Sequence, residues 1–81
     1  MARQRQQDLL VLGKAVRAVR EERGLGVSEL AAASGVAQPR IAALERGELD
    51  PHFELLLELA EGLGVRPSEL FVRAEELRDR G

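Results

Sequence analysis

Apolar positions recur three and four residues apart in five stretches of the chain, separated by glycine or proline. Leu9, Leu12, Val16 and Val19 form the first stripe. Asp8 stands ahead of it as an expected N-cap, because a carboxylate there accepts orphan helix N–H groups. Gly24 and Gly26 close this helix, with Arg23 suited to the negative end of its dipole. Val27, Leu30 and Ala31 mark a second, short helix. Ile41 and Leu44 mark a third, with Val36 just before it. Pro39 fixes the third helix's start near Gln38, since proline is tolerated only in a first turn. Phe53, Leu56, Leu59, Ala60 and Leu63 give the fourth helix its buried face, behind Asp50 as cap and Pro51 at its first position. Gly64 ends it. Pro67 opens a fifth, with Leu70 and Phe71 closing the core and Ala74 and Leu77 continuing the stripe. Met1 to Gln7 has no apolar face and reads as a flexible arm or a fraying first turn, and residues 79–81 as a tail. The pattern predicts one all-α domain over residues 8–78. Two glycine-led segments, GLGVSEL at Gly24 and GLGVRPSEL at Gly62, read as similar helix starts rather than as a repeat.

The most informative stretch is Val27 to Arg46, VSELAAASGVAQPRIAALER. Ser34-Gly35-Val36 reverses the chain between the second and third helices, with Gly35 free to take positive φ. The small residues Ala31 to Ala33 let the third helix lie close across the second. This is the layout of a helix-turn-helix, whose second helix enters the major groove of DNA. Gln38, Pro39, Arg40 and Ala43 fall off the Ile41/Leu44 stripe and face outward. Glutamine can bond adenine, and arginine guanine, through paired hydrogen bonds. Ala43 offers a small surface that suits a thymine methyl. As ordinary surface residues at a helix start, the same side chains would carry no such role.

Composition narrows the function further. Eighty-one residues make one small domain that buries about 60% of its unfolded surface. With only Phe53 and Phe71 as aromatics, its core is aliphatic and alanine-rich. There is no cysteine, and His52 is the only histidine, so neither a disulfide framework nor a thiolate or histidine metal cluster is available. No cofactor is expected. No carboxylate pair, nucleophile with its base, or metal cluster points to an enzyme. Without a long apolar run or a signal peptide, the expectation is a cytoplasmic protein, nucleoid-associated when bound, with no membrane partner. The formal net charge of −2 divides unevenly. Residues 1–47 carry eight Arg or Lys against five acids, a net of +3, whereas residues 48–81 carry four against nine, a net of −5. The helix-turn-helix lies in the positive half, as oriented binding to phosphates requires.

These segments carry a resemblance. GVAQPRIAALERGELDP resembles the recognition-helix segment of the phage repressor/Cro-type, or xenobiotic-response-element, helix-turn-helix family. VREERGLGVSELAAASGV is similar to that family's first and second helices, and PHFELLLELAEGLGVRPSELF to its last two. The similarity runs from about Leu12 to Phe71. It implies a compact five-helix, lambda-repressor-like domain with Gln38, Pro39 and Ala43 at base-facing positions and Arg40 beside them. Arg20 and Glu45 border the core on their helices, and the resemblance implies a buried ion pair between them that orients the third helix. Where the family places a capping Ser or Thr and then a phosphate-holding Gln, this chain has Gly26 and Val27. Backbone N–H groups at Val27 and Ser28 would still face a phosphate. Arg46 would reach another, or else satisfy the helix dipole.

The expected function is a transcriptional regulator that binds double-stranded DNA as a homodimer. Leu55, Leu57, Ala74 and Leu77 are the expected dimer contacts: the first two because exposed leucines off the buried stripe of a small domain suggest a subunit interface, the last two because they carry the fifth helix's stripe past the usual end of the family the chain resembles. Output would be repression, or activation through RNA polymerase. With no sensor domain in the chain, regulation by concentration is expected: a restriction–modification controller, an antitoxin or a phage-type repressor. The alternative is a protein-interaction adaptor that keeps the fold and has little DNA binding.

Overall fold

A computed structural model describes residues 2–80, with side chains from Gln4 onward. Met1 and Gly81, the ends of the expected arm and tail, lie outside the described residues, as does the side chain of Arg3. The described chain forms α1 (Ala2–Glu22), α2 (Val27–Ser34), α3 (Gln38–Glu45), α4 (Phe53–Leu63) and α5 (Pro67–Arg80). α1 and α5 pack side by side, α4 lies against α2, and α3 sits between α2 and the middle of α1. Val16, Leu30, Ile41, Leu44, Leu59 and Leu70 are wholly buried at the centre, so every helix contributes to one aliphatic core.

Helix α1 begins well before Asp8, which is therefore a mid-helix residue and not a cap. Residues 2–7 are Ala, Arg and Gln, all good helix formers, and no Gly or Pro interrupts them. The missing apolar face means only that this turn stays exposed. Asp8 instead accepts from the Gln4 side chain and lies 3.8 Å from Arg78 of α5. At the other end of α1, Glu22 takes a two-pronged bond from Arg73 of α5. That hydrogen bond holds the Glu22 carboxyl below its ordinary pKa.

The expected stripe of α4 needs correction at its start. His52, not Asp50, caps the helix, its Nδ1 accepting the Leu55 amide at 3.2 Å. Leu55 is 1% exposed and belongs to the core, so it is not available as a dimer contact. Phe53 is 69% exposed, at the rim of the domain where no other element covers it. The run FELLLELA offers two overlapping stripes that share Leu56, Leu59 and Ala60, and burial at the helix start selects Leu55. On α5, Leu70 is buried while Phe71 is largely exposed. Adjacent residues lie about 100° apart on a helix, so a narrow seam takes only one of them. Ala74 and Leu77 are half-buried beside α1.

The two similar helix starts share one device. Glu29 accepts the Gly26 amide at 2.7 Å, and Glu69 accepts the Arg66 amide at 3.3 Å. Each is the glutamate half of a capping box, made without the serine or threonine half.

Candidate nucleic-acid interface

Gly35 adopts the left-handed conformation at φ 78°, and its amide closes α2 on Ala31. Ser34 Oγ accepts the Val36 amide, and Val36 then buries. The chain turns in three residues, and Ala37 serves as the extended N-cap of α3. Gln38 and Pro39 open α3 as the sequence requires.

Ile41 and Leu44 are fully buried, which fixes the rotation of α3 about its axis. The opposite face is then Pro39, Ala43 and Arg46, flanked by Gln38 on one side and Arg40 on the other. Gln38, Pro39, Arg40 and Arg46 are exposed, and Ala43 is half-exposed. Five of the expected DNA-facing residues thus share one surface, none screened by another element. Val27 is half-buried against the core and Ser28 is exposed, both in the first turn of α2. Val27 brings no polar side chain to that turn.

The C-terminal end of α3 is anchored by charge. Arg20 Nε and Nη2 donate to the two carboxylate oxygens of Glu45 at 2.7 and 2.9 Å, and Arg20 Nη1 donates to the Leu25 carbonyl at 2.8 Å. Arg20 is 8% exposed. The Glu45 hydrogen bond raises the guanidinium's already high pKa, against the opposing effect of burial. One residue thereby ties together α1, the loop before α2 and the last turn of α3. Among the described residues no buried side-chain nitrogen or oxygen lacks a partner.

Two glycines complete the anchorage, Gly13 within α1 and Gly47 just after α3. A Cβ on Gly13 would stand 2.3 Å from the Leu44 carbonyl and 2.9 Å from that of Glu45, so the last turn of α3 rests on the bare backbone of α1. The signal for this was available: a lone glycine inside a helical stripe marks close packing. Gly47, at φ 74°, closes α3 and packs closely on Leu10 of α1, chiefly on its side chain.

Two ion pairs meet at the loop after α3. Arg46 Nε donates to Glu48 at 3.0 Å, both side chains well exposed. Arg5, from the first turns of α1, pairs with Asp50. Asp50 is thus an ion-pair partner for α1. Among the described residues no group of His, Cys, Asp and Glu is arranged to hold a metal ion, and no helix is long and apolar enough to cross a membrane.

A helix-turn-helix family model matches residues 16–70, from the middle of α1 to the start of α5. The chain belongs to this family, a non-enzymatic family of DNA-binding proteins whose named relatives are transcriptional regulators. It is 41% identical over 66 residues to an uncharacterized HTH-type transcriptional regulator of Mycobacterium tuberculosis, a match covering 78% of this chain and 26% of the relative. The chain thus spans about a quarter of that relative's length. An uncharacterized HTH-type regulator of Sinorhizobium fredii is 41% identical over 58 residues, covering 72% of this chain and 75% of that protein. Among solved structures, the restriction-modification controller protein C.AhdI from Aeromonas hydrophila superposes with a TM-score of 0.77 at 34% identity, covering 79% of this chain and 97% of the controller. The clp gene regulator ClgR from Corynebacterium glutamicum gives 0.80 at 32% identity, covering 85% of this chain and 90% of that one. These matches agree with the all-α, five-helix expectation and with the Cro-type assignment.

Proposed function

We propose that the protein regulates transcription as a homodimer that reads a palindromic operator, with α3 of each subunit in a major groove. Recognition helices would lie about one helical turn of DNA, roughly 34 Å, apart. The observation that carries this reading is the outward group Gln38, Pro39 and Arg40 at the exposed start of a helix whose other end is locked by Arg20–Glu45. Gln38 and Arg40 read base edges, Ala43 meets a thymine methyl, and Arg46 with the amides of Val27 and Ser28 meets phosphates. The relevant place of action is the cytoplasm, on the nucleoid while bound. The output is repression or autoregulation, or activation through contact with RNA polymerase. The controller likeness supports the autoregulatory form.

For the two-fold contact, Leu57 is the most exposed of the expected set: Leu55 is in the core, and Ala74 and Leu77 are half-buried beside α1. Phe53 lies one helical turn before Leu57 on the same edge of α4 and is the most exposed large apolar side chain described. Phe53→Glu is expected to yield monomers in sedimentation, and an unchanged dimer mass removes α4 from the interface.

Selection of binding sites from random duplex DNA tests the whole reading. Enrichment of a two-fold symmetric site is the expected result, and no enrichment overturns it. On the selected site, Arg40→Ala should relax preference at one base position by about 1–3 kcal/mol. Equal loss on all sequences would reduce Arg40 to a phosphate contact.

The adaptor reading is favoured by the absence of a polar side chain at Val27, together with the pairing of Arg5 and Arg46 with carboxylates. A salt titration on mixed-sequence duplex separates the two. A DNA binder loses affinity steeply with salt, and an adaptor does not bind at any salt.

A further inference from the structure

The loop from Arg46 to Pro51 contains two acids, and each is spent on an arginine of the same surface. Glu48 takes Arg46, and Asp50 takes Arg5. All four side chains are at least half exposed. Neither acid caps a helix, and only the Asp50 pair links distant elements. His52 holds the N-cap of α4 that Asp50 would have filled, and Arg46 and Glu48 are two residues apart, so their pair joins no distant elements. Arg46 follows Pro39 and Ala43 along the outward face of α3, which puts the first pair on the edge of the reading surface. The second pair brings the start of α1 to the same loop.

A carboxylate and a phosphate offer a guanidinium the same thing, two anionic oxygens in fork geometry. We infer that Glu48 and Asp50 are built-in phosphate mimics that attenuate DNA binding by occupying Arg46 and Arg5. The inference rests on the DNA-reading function proposed above. Phosphate contact at this loop is an exchange. Each arginine leaves a carboxylate to reach the backbone, and each carboxylate is then left close to phosphate with its like charge unopposed. Arg46 and Arg5 therefore contribute less affinity, and less salt dependence, than they would without these carboxylates. Because exposed pairs are weak and screened, the exchange stays reversible. Phosphate contacts carry no sequence information, so attenuation here lowers binding to all DNA and leaves the discrimination by Gln38 and Arg40 intact.

The test is the affinity of the full chain for mixed-sequence duplex as a function of salt, for wild type, Glu48→Gln, Asp50→Asn and the double variant. Asp79→Asn, which removes an exposed acid from the end of α5, controls for net charge. Each loop variant is expected to bind up to about fivefold tighter at low salt. Each should also steepen the log–log salt slope by about 0.9, the value for one added phosphate contact. Asp79→Asn should change neither. Glu48→Gln is the decisive arm, because removing it leaves every link between helices in place. Wild-type binding with unchanged affinity and slope in Glu48→Gln overturns the inference alone. Weaker binding by that variant also overturns it, and makes the acid a positioner of Arg46. Equal gains in Asp79→Asn reduce the effect to overall charge. No binding by any form at any salt overturns the inference together with the function beneath it.

Discussion

Glu45 and Arg46 are neighbours in the chain, and each is paired with a residue of opposite charge, yet the two pairs differ in nearly every physical respect. Glu45 meets Arg20 across 25 residues, through two short parallel bonds, with both side chains about one-tenth exposed. Arg46 meets Glu48 two residues on, through one bond, with both side chains more than half exposed. The first pair is costly to break because either partner alone would be a buried, uncompensated charge. The second can be exchanged at little cost, because water and ions replace either partner. A single peptide bond thus separates a permanent fastening from a replaceable contact. The contrast teaches that an ion pair's role follows from its surroundings and not from its residue types.

The largest expected effect comes from breaking the fastening. Glu45→Ala or Arg20→Ala should lower unfolding free energy by about 3–5 kcal/mol, measured by urea denaturation. A loss no larger than that of an exposed pair would erase the distinction drawn between the two. The next tests the backbone seat beneath the same turn. Gly13→Ala drives a methyl into the Leu44 carbonyl and should cost about 1–3 kcal/mol, since the overpacked contact has no side chain that can yield. A neutral result would mean that α3 can shift on α1 and that the fastening is Arg20–Glu45 alone. The smallest effect on stability belongs to the exposed pair. Arg46→Ala should change unfolding free energy by less than about 0.5 kcal/mol. It should nevertheless lower the salt slope of DNA binding, by less than the about one of a phosphate contact with no competing carboxylate. An unchanged slope would take Arg46 out of the interface.

Much of this contrast was readable from the sequence, and the part that was not has physical causes. The turn at Gly35 and the start of α3 at Gln38 follow from local chemistry, positive φ in one case and proline's missing N–H in the other. The Arg20–Glu45 pair was approachable because both residues border apolar stripes, and the family resemblance supplied the partnering. Of the two readings of residues 2–7, an arm or a first turn, the apolar pattern could not choose, because a turn of Arg, Gln and Ala that continues a packed helix needs no apolar face of its own. Leu55 and Phe53 exchanged places because a leucine-rich run satisfies two helical phases, and only tertiary cover chooses between them. The loop pairs were beyond sequence reasoning for a different reason. Arg5 and Asp50 are 45 residues apart, and nothing local joins them.

The seat at Gly13 has one more consequence. Where two helices are spaced by interlocking side chains, any change of residue size resets their distance by a fraction of an ångström, and the angle drifts. Here peptide bears on peptide, so the seat acts as a mechanical stop with no cushion to thicken or thin. Gln38, Arg40 and Ala43 point away from that stop. They can be exchanged for other side chains while the frame that aims them stays where it is.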